Sequence, residues 1–179
     1  MSRASRVLSL ARNRRPPSRF ADRPVPDHDL SCILDAARYA PSAGEGQPWR
    51  FVVVREGLRR HRIAEAAFHH PHAKTAPVLV LCCARIHSHV SANGRQSFPV
   101  DVAAATQTMT LAAADLGLAT SWLTGFREPA VREAAGVPAD VPIVAVLAVG
   151  YPDGLEPLAE REAVGKVVSW ERWEDEERS

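Results

Sequence analysis

Ala40-Pro41-Ser42-Ala43-Gly44-Glu45-Gly46-Gln47-Pro48-Trp49-Arg50-Phe51 is the stretch on which the reading of this chain turns. Its two prolines and two glycines exclude helix and regular strand, because proline fixes φ and lacks a donor while glycine weakens either element. Yet the stretch joins an apolar helical segment to the apolar run Phe51-Val52-Val53-Val54. A polar, backbone-restrained loop at a helix-to-strand junction is a sensible place to hold a planar ligand.

On the N-terminal side of the loop, Leu30, Ile33, Leu34 and Ala37 recur at helical spacing, with Asp27 or Asp29 placed to cap that helix. Residues 4–13 read as a short first helix with Val7, Leu8 and Leu10 on its buried side. Residues 14–26 read as a coil broken by Pro16, Pro17, Pro24 and Pro26. After the loop come a strand over residues 49–54, a short helix over 58–68 and a buried strand over 77–84. Ser97 suits the cap and Pro99 the first turn of the longest helix, whose apolar face carries Val102, Thr106, Met109, Ala113 and Leu116. Its alanines (Ala103, Ala104, Ala105, Ala112, Ala113, Ala114) allow close helix approach and mark it as central. Gly117 ends it. Residues 118–123 lead into a strand, 129–135 form a short helix, and 143–149 form another buried strand. The tail after Pro152 is long and carries Trp170, Trp173 and an acidic run. Helices and strands mix without a βαβ rhythm. No G-x-G-x-x-G or P-loop is present, so an α+β fold with a central sheet flanked by helices is expected.

Bulk properties narrow the function. The length of 179 residues fits one domain spanning 1–179, and 46% hydrophobic with 24% charged residues fits a globular core. A net charge of +1 gives no basic face of the kind that binds nucleic acid. No apolar run is long enough to cross a membrane. Three cysteines are too few for a disulfide scaffold, and adjacent Cys82 and Cys83 point to opposite faces of a strand, so a reduced, cytoplasmic protein is expected. The Arg- and Ser-rich residues 1–15 lack acids, as a transit peptide does, but they run straight into a basic motif that needs positioning, which favours a helix.

Three constellations can carry chemistry. Arg14, Arg15 and Arg19 put three guanidiniums within six residues, Ser18 adds a hydroxyl, and Pro16 and Pro17 stiffen the backbone. Guanidinium forks match phosphate, although such a run is also an ordinary solvated face. In the signature loop, Trp49 and Phe51 read as core, while Ser42, Ala43 and Gln47 sit where backbone amides are free to donate to a ligand. Residues 117–126, Gly-Leu-Ala-Thr-Ser-Trp-Leu-Thr-Gly-Phe, taken alone read as a buried strand ending at a glycine turn. Other features carry less. Arg161, between Glu160 and Glu162, reads as solvated. His69, His70 and His72 cluster in a loop and His87 and His89 form an H-x-H, but no carboxylate or cysteine lies at a metal-ligand spacing. Asp101 and Gln107 on the long helix have no defined partner.

Taken in order, the R-R-x-x-S-R run, the A-P-S-x-x-x-x-Q-P-W-x-F loop, the alanine-rich helix, the G-L-x-x-x-W turn and the V-x-A-V-G-Y-P strand end resemble the FMN-dependent nitroreductase superfamily. The basic run is similar to that of a compact bacterial subgroup. The resemblance implies an α+β fold with a central mixed, mainly antiparallel sheet flanked by helices, an intertwined homodimer, and one FMN in each of two interface sites. It implies that Arg14 and Arg15 hold the phosphate and that Ser18 bonds ribityl or phosphate oxygens. Pro16 stands in this grip where the family usually has Ser, which removes one hydroxyl and one N–H. Tyr39, Ser42, Ala43 and Gln47 would come from the partner subunit and lie beside the flavin ring. Trp122, Leu123 and Thr124 would line the ring, where backbone amides can stabilise the charge a reduced flavin gains. Arg161 matches a basic residue that closes over the phosphate. The implied reaction is ping-pong: NAD(P)H gives hydride to flavin N5, and a nitroaromatic, quinone or similar small-molecule electron acceptor takes the electrons, with no obligate catalytic side chain. Two alternatives stay open: a flavin-destructase- or deiodinase-like enzyme, and a non-catalytic dimeric protein whose flavin site has decayed at Pro16 and Glu45.

Overall fold

A computed structural model describes residues 5–86 and 94–173. His87, His89 and the acidic end of the tail lie outside the described residues. The central element is a four-stranded sheet ordered β2 (Trp49–Val54), β3 (Val78–Ala84), β5 (Ile143–Gly150), β4 (Ala119–Leu123). Every pairing among the described residues is antiparallel, so the expected mixed sheet shows no parallel pair there. β3 is buried at all seven positions because both of its faces are covered. Leu79, Leu81 and Cys83 point into one core, and Val78, Val80, Cys82 and Ala84 into the other. This is the period-2 alternation of a strand, with an apolar core on each side.

The first core is closed by α3 (Gly57–Ala66), which packs on α6 (Glu128–Ala135) through Ile63, Ala66, Val131 and Ala134. The second is closed by α2 (Asp27–Ala37) and α5 (Phe98–Asp115), with Ile33, Val102, Ala105 and Met109 fully buried between them and the sheet. Alanines on α5 let α2 and the strands come close. The buried hydroxyls of Thr106 and Thr110 donate to the carbonyls of Val102 (2.7 Å) and Thr106 (3.0 Å), which satisfies them inside an apolar helix. Gly117, at φ 74°, ends the helix and Leu118 N–H donates to the Ala113 carbonyl at 2.9 Å, which aims the chain into β4.

Several expectations are corrected. The residue before α2 is Pro26, and Asp27 and Asp29 occupy its first turn, where they meet the positive end of the helix dipole instead of capping it. Ser97 precedes α5 without a side-chain cap bond. The proline-rich coil contains a strand, β1 (Pro17–Phe20), paired with β6 (Pro152–Leu155) in a separate two-stranded ribbon. Proline is tolerated there because it opens an edge strand. The histidine loop contains a short helix, α4 (Pro71–Thr75). Finally, α1 (Arg6–Asn13) buries none of its residues: Val7 and Leu8 are exposed, and the helix is held by contacts with α5 and by the Arg6–Asp115 ion pair at 2.5 Å. The last helix, α7 (Val164–Val167), and the exposed Trp170 and Trp173 lie in the tail.

Bonds within and around the ribbon hold the basic run in place. Arg19 pairs with Asp153 at 2.6 Å, Glu156 N–H donates to the Pro16 carbonyl at 3.1 Å, and Phe20 N–H donates to Thr75 Oγ1 at 3.2 Å. Together they fix the Arg14–Pro16 segment against the start of the tail, beside the free edge of β4.

Candidate flavin cleft

A cleft of about 550 Å³ opens along that free edge. Arg14, Arg15 and Pro16 form one wall and Thr120, Ser121 and Trp122 of β4 the opposite one. Gln107 of α5 and the tail residues Pro157, Leu158, Ala159 and Arg161 complete it. Its size is that of a small-molecule site. β4 is the last strand of its sheet, so one row of its backbone amides and carbonyls has no strand partner and faces outward.

The charges are distinctive. Arg6, Arg19, Arg38, Arg55, Arg59 and Arg132 all pair with carboxylates. Arg14, Arg15 and Arg161 are among the described arginines with no such partner, and all three line the cleft. Unpaired guanidiniums converging on a concavity form an anion site. On the opposite wall, Thr120 is 1% exposed and its Oγ1 has no hydrogen-bond partner. A buried hydroxyl left unpaired costs free energy, so Thr120 is a polar group that the fold leaves unsatisfied beside the cleft. Trp122 is fixed by its Nε1–H donating to Thr110 Oγ1 at 3.0 Å.

The residues singled out in the sequence divide into two groups. Arg14, Arg15, Pro16, Trp122 and Arg161 meet in the cleft. Ser18 sits close to Pro16 on β1, exposed, with its hydroxyl against Gly154. Leu123 is buried in the core and Thr124 is exposed beyond the strand end, so neither lines the cleft within one chain. Tyr39, Ser42, Ala43 and Gln47 do not line it either. They sit near the N-terminal end of α5, where the buried Asp101 accepts a hydrogen bond from Ala43 N–H at 3.0 Å. Gln47 N–H donates to Ser42 Oγ at 3.1 Å. The loop is strained: Glu45 and Gln47 have φ of 54° and 42°. Left-handed backbone at non-glycine residues clusters at functional sites. Tyr39 is 76% exposed beside Arg38.

Sequence reasoning missed Gln107, Thr120, Ser121 and the 157–159 segment as cleft residues. The first three carry ordinary polar side chains whose role is visible only once β4 is known to be an edge strand. It also placed His72 in a loop with His69 and His70 and gave it no partner. His69 and His70 are exposed, but His72 is half-buried on α4 with Nδ1 2.6 Å from Ser121 Oγ. Burial lowers its pKa, with the neighbouring His70 adding to the effect. Cys82 and Cys83 are packing residues whose thiol pKa burial pushes up to about 12 and about 11. Among the described residues no three His, Cys, Asp or Glu side chains gather as a metal site, and no helix is long and apolar enough to cross a membrane.

Comparison with known proteins agrees with this geometry. A protein of Archaeoglobus fulgidus assigned as an NADH dehydrogenase/NAD(P)H nitroreductase is 34% identical over 149 residues, covering 81% of this chain and 84% of its own length. The FMN reductase [NAD(P)H] of Bacillus subtilis is 30% identical over 142 residues, covering 79% of this chain and 54% of its own. The crystal structure of a nitroreductase family protein from Clostridium difficile 630 superposes with a TM-score of 0.80 at 27% identity, over 92% of this chain and 97% of that one. The profile of the Nitroreductase family matches residues 11–74 and 64–151, which include the basic run, the signature loop, α5 and β4. The chain therefore belongs to the nitroreductase family.

Proposed function

We propose that this chain is an FMN-dependent oxidoreductase that passes hydride from NAD(P)H to a nitroaromatic, a quinone or a similar small acceptor. The observation that carries this reading is the cleft at the β4 edge, lined by Arg14, Arg15 and Arg161, none of which has a carboxylate partner, and by Trp122 on a strand with an unpaired edge. Family membership and the relative named FMN reductase support the same cofactor.

Arg14 and Arg15 hold the phosphate, and Arg161 closes over it from the tail. Ser18 lies just beyond the cleft wall and reaches ribityl or phosphate oxygens when the ligand seats. Pro16 shapes the wall but supplies neither hydroxyl nor N–H, so the arginines carry more of the anion binding than they would with Ser there. Trp122 gives a rigid apolar face, and the free backbone groups of β4 supply donors and acceptors to a planar ring. When bound, FMN supplies the redox chemistry, accepting hydride from NAD(P)H and giving electrons to the acceptor in two half-reactions. No side chain is required as a catalytic acid or base.

On this reading the chain falls in the compact subgroup with the R-R-x-x-S-R run, as one nitroreductase-like domain over residues 1–179, cytoplasmic and homodimeric. Tyr39, Ser42, Ala43 and Gln47 lie away from the cleft of their own chain, which fits a loop that serves the cleft of a second copy, together with Leu123 and Thr124 near the ring. The exposed apolar faces of α1 and the tail fit the same assembly. The purified protein should be yellow and should bleach on anaerobic addition of NADH or NADPH, with colour restored by a quinone. A yellow protein that neither nucleotide bleaches would favour the flavin-destructase or deiodinase alternative, and a colourless protein that binds no added FMN would favour a decayed site.

A further inference from the structure

His72 is a partly buried titratable group that touches the cleft wall without serving the proposed reaction. α4 packs it against β1, its ring meets Phe20 edge-on at 6.1 Å, and Nδ1 lies 2.6 Å from Ser121 Oγ. Ser121 is 8% exposed and lines the cleft. The Pro17 carbonyl lies near enough to the imidazole to favour its protonated form. In the neutral tautomer that turns Nε2–H toward this carbonyl, Nδ1 is an acceptor and the Ser121 hydroxyl donates to it. Its oxygen is then only an acceptor toward the cleft. In the imidazolium, Nδ1–H donates to Ser121 Oγ and the hydroxyl hydrogen is released to donate elsewhere. Because one proton on the ring reverses this bond, the ring decides which kind of group the wall offers.

We propose that His72 is a positioning residue that sets, through Ser121, whether the β4 wall of the cleft offers a hydrogen-bond acceptor or a donor to the bound flavin. This inference rests on the flavin reading of the cleft. The carbonyl, ribityl and phosphate groups of the ligand are rich in acceptors, so the protonated ring favours binding. The groups facing His72 are few. His70 lies beside it with ring centroids 4.9 Å apart and opposes protonation, and Glu156 after β6 favours it. On β1, Arg19 is tied to Asp153, and β4 carries no titratable side chain. On α3, His61 and Glu65 pair with each other at 3.5 Å on an exposed face.

The test is a fluorescence titration of flavin-free protein with riboflavin and with FMN, from about pH 4 to about pH 8, a window carried below the ordinary range of histidine because burial lowers the pKa of His72. Riboflavin lacks the phosphate, whose own second ionisation falls in the same range. The wild type, His72→Asn and Ser121→Ala are compared. Riboflavin binding by the wild type should weaken about fivefold as pH rises, the worth of one net hydrogen bond. Both variants should show no such step. A wild-type curve without the step, or variant curves that superpose on the wild type, would overturn the inference while leaving the flavin reading intact. If neither flavin binds at any pH, both fall together. Ser121→Ala keeps the test decisive should His72→Asn fail to fold.

Discussion

Arginines show how little a residue type says without its neighbours. Arg6, Arg19, Arg38, Arg55 and Arg59 pair with carboxylates at the surface, and exposed ion pairs of this kind contribute little. Arg14, Arg15 and Arg161 share the concavity at the β4 edge and have no carboxylate partner there. Arg14 and Arg15 were legible in the sequence as a fork-bearing run. Arg161 was named by the resemblance alone, since its neighbours Glu160 and Glu162 suggest solvent, and the ribbon that ties the tail to Pro16 brings it to the cleft. His72 and Ser121 were illegible for the same reason: they are 49 residues apart and meet through tertiary packing alone. Arg14→Ala should weaken FMN binding by roughly 10- to 100-fold, the worth of a charge-assisted bond, and leave riboflavin binding nearly unchanged. Equal losses for the two flavins would show that Arg14 does not read the phosphate.

Elements with strong periodicity were readable. α2, α5, β3 and β5 fall where apolar spacing puts them, because each buries a continuous face. The ribbon of β1 and β6 was hidden, since its stability comes from cross-strand bonds and prolines mask its pattern. α4 was hidden because five residues give too little periodicity. The signature loop was recognised as irregular, but its anchor was not. Asp101 has no obvious role in sequence, yet its carboxylate, 6% exposed in the first turn of α5, accepts the Ala43 N–H. That single bond ties a strained loop to the helix that also carries Gln107, about 9 Å further along the axis. Asp101→Ala should destabilise the protein by about 1 kcal/mol in urea unfolding, since it leaves a half-buried N–H without its partner, whereas Asp101→Asn should cost less because its amide oxygen still accepts. Equal stability of the alanine variant and the wild type would show that the loop is held by other means.

Across the molecule as a whole, a sheet with helices on both faces ends in two edge strands, β2 and β4, and the cleft forms along the β4 edge. The loop that the sequence marks most strongly lies at the far end of α5, outside the cleft of its own chain. Both facts are reconciled if two copies assemble so that each lends its loop to the other's cleft. Exposed Val7, Leu8, Trp170 and Trp173 offer apolar surface for that contact. A pair of chains would then enclose the flavin, with its phosphate on Arg14 and Arg15. Sedimentation velocity of the purified protein, monitored simultaneously by protein absorbance and by the visible flavin band, is the decisive experiment. One boundary is expected, coloured, at twice the 19.5 kDa chain mass. A coloured boundary at the mass of a single chain, or a dimer that carries no colour even after incubation with FMN, would refute the enclosed-flavin dimer.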